Sequence, residues 1–174
     1  MGFLTENLHA SHVRSDFQCG NSLLDQYLKL QASQDVKKRL AACFVSTDTV
    51  FANKVIGFYT LSNSSISREF VPIEWQNKYP KSYHTIPTTL LGRLAVDASF
   101  HGKGFGEMLL HKLIEETEEH HFWTLQSGIF PENVASIKIH EKLGFRIIGR
   151  REKIAEMNGV WRDVILLERR SIKF

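Results

Sequence analysis

The sequence predicts an α/β layered domain on three observations. Apolar runs of strand length alternate with segments of helical period along the chain. A near-continuous apolar strand, Thr88 to Val96, leads into a turn with glycine at alternate positions, Gly102, Gly104 and Gly106, which opens a helix. The last two strand-like runs meet at Asn158-Gly159, a dipeptide that favours a tight antiparallel hairpin.

Taken in order, Ser22 to Ala32 carries Leu23, Leu24, Tyr27, Leu28 and Ala32 at helical spacing, with Asn21 placed as N-cap. Ala42 to Ser46 and Val55 to Leu61 are β-branched and aromatic runs separated by a polar stretch, which predicts two paired strands. Arg68 to Tyr83 reads as irregular or weakly helical. Thr88 to Val96 does not alternate, so it is expected to be buried on both faces in the middle of a sheet. Phe105, Met108, Leu109, Leu113 and Ile114 share one helical face, and Glu115, Glu116, Glu118 and Glu119 read as its solvated side. A strand at Trp123 to Phe130 precedes a helix at Val134 to Leu143, which Gly144 terminates. The order is helix, three strands, glycine turn, helix, strand, helix and a closing pair of strands.

The 174 residues, with four prolines confined between Pro72 and Pro131, read as one domain over 1–174 without repeat or linker. A hydrophobic share of 43% and a charged share of 24% are those of a globular chain able to bury a core. The formal net charge of +3 permits a polyanionic ligand, whether nucleotide or RNA, without requiring one. Cys19 and Cys43 lack metal or redox spacing, and Met1 to Ser11 lacks a signal-peptide layout, so a cytoplasmic protein with reduced thiols is expected. Glu6 stands where myristoylation needs Ser or Thr, and no apolar run approaches membrane-spanning length. His120 and His121 are adjacent rather than a helical turn apart, and no Cys/His/Glu cluster forms, so no metal is expected.

The glycine turn carries the chemistry. Glycines at a helix N-terminus let a phosphate reach the backbone amides, and Lys103 adds a cation, the outline of a pyrophosphate site. The spacing is neither the G-x-G-x-x-G of dinucleotide folds nor the G-x-x-x-x-G-K-S/T of P-loops. Read alone, the turn also fits a ligand-free strand-to-helix connection.

Leu91-Gly92-Arg93-Leu94-Ala95-Val96-Asp97 followed by His101-Gly102-Lys103-Gly104-Phe105-Gly106 resembles the central strand and Gln/Arg-x-x-Gly-x-Gly/Ala loop of the GNAT acetyltransferases, with His101 in place of the first residue. The resemblance implies the GNAT acyl-CoA N-acyltransferase fold: a mixed central sheet, splayed between its fourth and fifth strands and flanked by helices. It implies that His101 to Gly106 hold the pyrophosphate of acetyl-CoA and that the pantetheine arm pairs with backbone near Leu94, Ala95 and Val96. The thioester carbonyl then lies where the Leu94 N–H stabilises an oxyanion.

Phe122 to Asn133, Ala135 to Phe145 and Met157 to Asp163 resemble phosphinothricin-acetyltransferase-type GNATs. Asn133, Ser136 and His140 fall at i, i+3 and i+7 on one helix face, so they line the same arm. His140 stands where many superfamily members place a tyrosine that protonates the departing thiolate, and the resemblance implies that role for it; the bland alternative is a histidine packed beside Phe145. For Asn133 the alternative is a helix N-cap. Asp97 and Glu132 are the carboxylates nearest the site in sequence, and a backbone carbonyl with water is the alternative base.

The two ends of the chain imply different acceptors. Phe17-Gln18-Cys19-Gly20, Leu24 to Leu28, Gln34-Asp35 and Gly57 to Ser62 resemble the GNAT toxins of toxin-antitoxin pairs, over about residues 3–115. That implies an aminoacyl-tRNA acceptor and an antitoxin partner, and the eight Lys/Arg against four Asp/Glu of residues 146–174 offer a phosphate-contacting surface or a merely solvated edge. The phosphinothricin-type resemblance, over 122–171, implies a small amino acid or analogue, with Arg93 or Arg162 holding its acid group or serving only in structural salt bridges. Both present an α-amine. A homodimer and a non-catalytic acyl-CoA-binding module are the further readings.

Overall fold

The computed structural model describes residues 5–48, 53–157 and 159–173. Its strands are β1 (Thr5–Asn7), β2 (Ala42–Thr47), β3 (Val55–Ser67), β4 (Thr85–Val96), β5 (Thr124–Ile129), β6 (Arg146–Met157) and β7 (Val160–Arg170). The helices are α1 (Ser22–Gln26), α2 (Ala32–Lys37), α3 (Ile73–Gln76), α4 (Phe105–Glu119) and α5 (Val134–Lys142). The strands form one sheet in the order β1-β2-β3-β4-β5-β7-β6, antiparallel except for the parallel contact of β4 with β5.

That parallel contact is short. It comprises Thr89 with Leu125, Leu90 with Gln126 and Leu91 with Ser127, after which the two strands separate. The predicted mixed, splayed sheet is therefore observed. Gly92 is an extra residue in the β3–β4 ladder, because Thr60 pairs with Arg93 while Leu61 pairs with Leu91. The bulge resets the alternation, so Leu91 and Leu94, three residues apart, both face the same core.

Two cores lie on opposite faces of the sheet. On one face, α4 and α5 cover Tyr59, Leu91, Leu125 and Leu167 with Leu109, Leu110, Leu113 and Ile114. On the other, α2 and the turn that joins it to α1 bring Tyr27, Leu28 and Ala32 onto Cys43, Val45, Phe58 and Ala95. Neighbours in sequence point opposite ways: Phe44 stacks on Tyr59 at 4.9 Å in the first core, and Val45 is buried in the second.

Several expectations need correction in extent. The first helix passes through a π-type turn, Tyr27–Gln31, and continues beyond Ala32 to Lys37, where the Tyr27 hydroxyl donates to Asp35 and holds α2 in place without a further apolar row. β3 and β4 run six and three residues beyond the apolar stretches, in polar sequence such as Ser62 to Ser67 that only ladder pairing makes a strand. β1 escaped sequence reading altogether. Burial of β4 on both faces fails at Gly92, which is exposed, and at Leu90, Arg93 and Leu94, which are half-buried. The segment after β3 is ordered by Arg68, whose guanidinium donates to the carbonyls of Gln76, Tyr79 and Pro80, and by Trp75 and Tyr79 packing on Trp123.

The acidic end of α4 is not a solvated cluster. Glu118 is 8% exposed and accepts from Arg169 at 2.8 Å, with Lys173 at 3.0 Å, and Glu116 accepts from the Tyr59 hydroxyl. The helical period puts them on the polar side of α4, but β7 and the segment after it cover Glu118, and Tyr59 of β3 engages Glu116. Asn158 of the predicted hairpin dipeptide lies outside the described residues, and Gly159 has φ +76°, the left-handed backbone such turns favour.

Candidate active site

The strand-to-helix turn is built by Asp97. Its carboxylate accepts from the Ser99 N–H at 3.0 Å, the Ser99 hydroxyl at 2.5 Å and the Gln18 N–H at 3.0 Å. Burial pushes its pKa up, but these donors and the Lys54 charge outweigh that and hold it below the usual carboxylate value. Asp97 is thereby consumed in shaping the turn and is no base. The His101 ring turns back so that Nε2 donates to the Val96 carbonyl at 2.8 Å. Gly102 and Gly104 have φ +71° and +80°, and a Cβ on either would meet nothing within 4 Å. Backbone, not space, requires glycine there, and the faces that a side chain would cover are left open. Gly104 caps α4, and the first helical bond is Met108 N–H to the Gly104 carbonyl, so the turn leads straight into the N-terminus of the helix.

A cavity of about 640 Å³ opens at this turn and runs between β4, α4 and α5. Leu94, Ala95 and Val96 line it where β4 has parted from β5, and His101, Gly102, Gly104, Phe105 and Gly106 form one end. Asn133, Ser136 and His140 line it from α5. Of the residues predicted for the donor, only Lys103 stays away: it is exposed and donates to the Ser99 carbonyl at 2.8 Å. Glu107 and Lys142 pair at 2.6 Å and tie α4 to α5 beside the cavity.

Asn133 is the N-cap of α5, its Oδ1 accepting from the Ser136 N–H at 3.2 Å, and it borders the cavity as well. His140 also combines both readings. It is 3% exposed and packs edge-on to Phe145 at 4.9 Å. Its Nδ1 lies 2.8 Å from the Ser136 carbonyl, which can only accept, so Nδ1 carries the proton. Nε2 is buried and has no hydrogen-bond partner among the described residues. Burial pushes the imidazole pKa below its ordinary value, against the smaller upward pull of the Ser136 bond.

The two arginines proposed for the acceptor part company. Arg162 is paired with Glu132 at 2.9 Å, which also removes Glu132 as a free base. Arg93 lies 3.7 Å over the Tyr27 ring on the α1 face, with no ion pair within 4.0 Å among the described residues. Neither borders the cavity. Sequence reading missed Cys19, Asn21 and Leu24, which line the cavity from the N-terminal head, and Leu110 and Ile139, which line it from the helices. The helical period puts Leu24 on an apolar face but does not say what it faces, and Leu110 lies outside the face it picks out. The head docks because Ala98 N–H donates to the Gln18 carbonyl at 2.7 Å, a contact across eighty positions that no local pattern announces.

Comparison with known proteins agrees with this architecture. The chain is 33% identical over 100 residues to the tRNA-acetylating toxin of Mycobacterium tuberculosis, an alignment covering 58% of this chain and 57% of the relative. It is 28% identical over 88 residues to the L-methionine sulfoximine/L-methionine sulfone acetyltransferase of Salmonella typhimurium, covering 51% and 52%. The chain thus spans about half the length of the curated relatives it matches. The structure of AtaT complexed with acetyl-methionyl-tRNAfMet superposes with a TM-score of 0.68 at 22% identity over 94% of both chains, a likeness of fold. The family model described as Acetyltransferase (GNAT) family matches residues 9–145, and the chain belongs to that family.

Proposed function

We propose that this protein transfers the acetyl group of acetyl-CoA to a primary amine, the α-amine of an amino acid, an amino-acid analogue or an aminoacyl group. The observation that carries the reading is the cavity that runs from the open glycine turn, along the part of β4 that has parted from β5, to His140. The amides of Gly102 to Gly106 suit the CoA pyrophosphate, with His101 and Phe105 shaping the turn and Lys103 supplying only a diffuse positive field. The pantetheine arm fits along Leu94, Ala95 and Val96, opposite Asn133 and Ser136. The Leu94 N–H is assigned to the developing oxyanion, and His140 to protonating the thiolate that departs. An α-amine with a pKa near 8 is about a tenth neutral at pH 7, so the attacking amine needs modest help.

For the acceptor we favour a free amino acid or analogue; of the two candidate arginines, Arg93, outside the cavity wall on the α1 face, is the one that no carboxylate engages among the described residues and so the one left to anchor it. The relative that acetylates methionine sulfoximine supports this. The toxin relative supports the second reading, an aminoacyl-tRNA acceptor and an antitoxin partner. Against it, Arg146, Arg150, Arg162, Arg169, Arg170 and Lys173 all lie on carboxylates, which leaves Arg151 and Lys153 as the basic residues of the last hairpin without one among the described residues. The exposed apolar row Ile147, Ile148 and Ile154 on the edge strand β6 is consistent with a homodimer. Two unpaired cysteines fit a reducing cytoplasm, and no described helix is long and apolar enough to cross a membrane.

The test is release of free CoA, read with a thiol reagent, from acetyl-CoA and the purified protein. Amino acids, methionine sulfoximine and charged tRNA are offered separately. Turnover with the free amines supports the favoured reading, turnover with charged tRNA alone supports the second, and none with any amine identifies a non-catalytic acyl-CoA-binding module.

A further inference from the structure

His140 has one nitrogen whose purpose the fold leaves unexplained. The ring is 3% exposed, lines the cavity, and spends Nδ1–H on the Ser136 carbonyl at 2.8 Å. Nε2 is thereby a bare lone pair, shielded from water and unpartnered. A buried acceptor left unsatisfied is destabilising, and a ligand donor reaching it would recover that loss. A lone pair takes a proton before it gives one. Among the described residues one carboxylate lines the cavity, Glu107, and it pairs with Lys142, while Asp97 in the adjoining turn is taken up in capping it.

We infer that His140 is a proton shuttle, its Nε2 first accepting the proton of the attacking amine and then delivering that same proton to the CoA sulfur, so that no separate base is needed. This rests on the acetyl-transfer reading and deepens it. The amine lone pair forms the C–N bond as the carbonyl π pair moves to oxygen. The positively charged nitrogen then loses its proton to Nε2. As the oxygen pair re-forms C=O, the C–S bond breaks with its electrons on sulfur, and the imidazolium returns the proton there. Amine and thioester become amide and thiol, and His140 ends neutral, still bonded to Ser136.

The surroundings suit a neutral resting ring. From α4 and α5 come Glu107 and Lys142, which compensate each other. The turn contributes His101, held by the Val96 carbonyl. The head contributes Cys19, whose thiol burial pushes up to about 11 and keeps neutral, and β6 is preceded by Phe145, an apolar face.

Two readouts test this. In the protein without ligands, nitrogen NMR of the His140 ring at neutral pH should show Nε2 as the unprotonated nitrogen; an Nε2–H tautomer overturns the inference. With the amine that supports wild-type turnover, His140→Ala and His140→Gln should each lower kcat by about a hundredfold or more while still binding acetyl-CoA in equilibrium dialysis. Added imidazole should then restore amine-dependent turnover of His140→Ala at least about tenfold, and the restored rate should follow the concentration of free-base imidazole as pH is varied. Rescue that follows imidazolium, full activity in His140→Gln, or loss of acetyl-CoA binding in both variants overturns the shuttle. Absence of wild-type turnover with every amine removes instead the transferase reading beneath it.

Discussion

Gly104→Ala separates what the glycine turn does for the fold from what it does for the ligand. The residue has φ +80°, and an added Cβ meets nothing within 4 Å, so the variant suffers no clash and only the left-handed backbone is penalised. That penalty is about 1–2 kcal/mol. For a chain of this size each kcal/mol lowers Tm by roughly 2–4 °C, so a fall of roughly 2–8 °C is expected. Gly159→Ala is the matched control, with φ +76° and equally open space, but in the distant hairpin turn. Both variants should lose similar stability in thermal melts. They should differ in acetyl-CoA affinity measured by calorimetry. The new methyl in Gly104→Ala stands where a phosphate must approach the amides, and loss of a hydrogen bond to a charged group costs about 1.5–3 kcal/mol, or roughly 10- to 150-fold in Kd. Gly159→Ala should bind as wild type does. Unchanged affinity in Gly104→Ala, or equal loss in both, would refute the placement of the pyrophosphate.

Glu118→Ala should destabilise the protein by about 3 kcal/mol, the low end for breaking a buried pair, because Arg169 and Lys173 keep some access to water. Burial raises the Glu118 pKa, but the bonds from Arg169 and Lys173 outweigh it and the net shift is downward. Its contribution is therefore complete above the unfolded value of about 4.3 and is lost as pH falls through the lower folded one; chemical denaturation of Glu118→Gln should show a shallower acid decline than wild type. Arg93→Ala should raise KM for a carboxylate-bearing amine by about tenfold or more and leave acetyl-CoA affinity unchanged, whereas Arg162→Ala should do neither; the reverse pattern in steady-state kinetics exchanges their roles. Cys19, on the cavity wall with its thiol raised to about 11, should alkylate slowly at pH 7.5 and faster at pH 9.5, and acetyl-CoA should protect it; mass spectrometry showing no protection would remove the head from the donor site.

What the sequence discloses is what short-range chemistry determines. Asn21 and Asn133 cap the helices they precede, and Gly144 with φ +86° ends α5, because each needs only neighbours within a turn. The glycine turn is legible for the same reason. Polar strand ends such as Ser62 to Ser67 are not, since their conformation comes from a distant ladder partner, as in Ser65 with Pro87. Arg93 and Arg162 look equivalent along the chain and differ only because Glu132 lies beside one of them in space. His140 is visible as a position but not as a state: the fate of its two nitrogens depends on Ser136 one turn earlier and on how deeply Phe145 covers the ring.

Because β4 and β5 share three rungs and then diverge, the backbone ladder does not set the width of the opening between them. That dimension is held by side chains, the apolar contacts of Ile137, Ile139 and Leu143 against Leu109, Leu113 and Phe145. The sheet thus behaves as two leaves on a narrow spine, four strands on one side and three on the other, propped apart by a wedge of methyl groups. Trimming that wedge, as in Leu113→Ala, should let the leaves close, so that affinity for a ligand between them changes through a residue that never touches it.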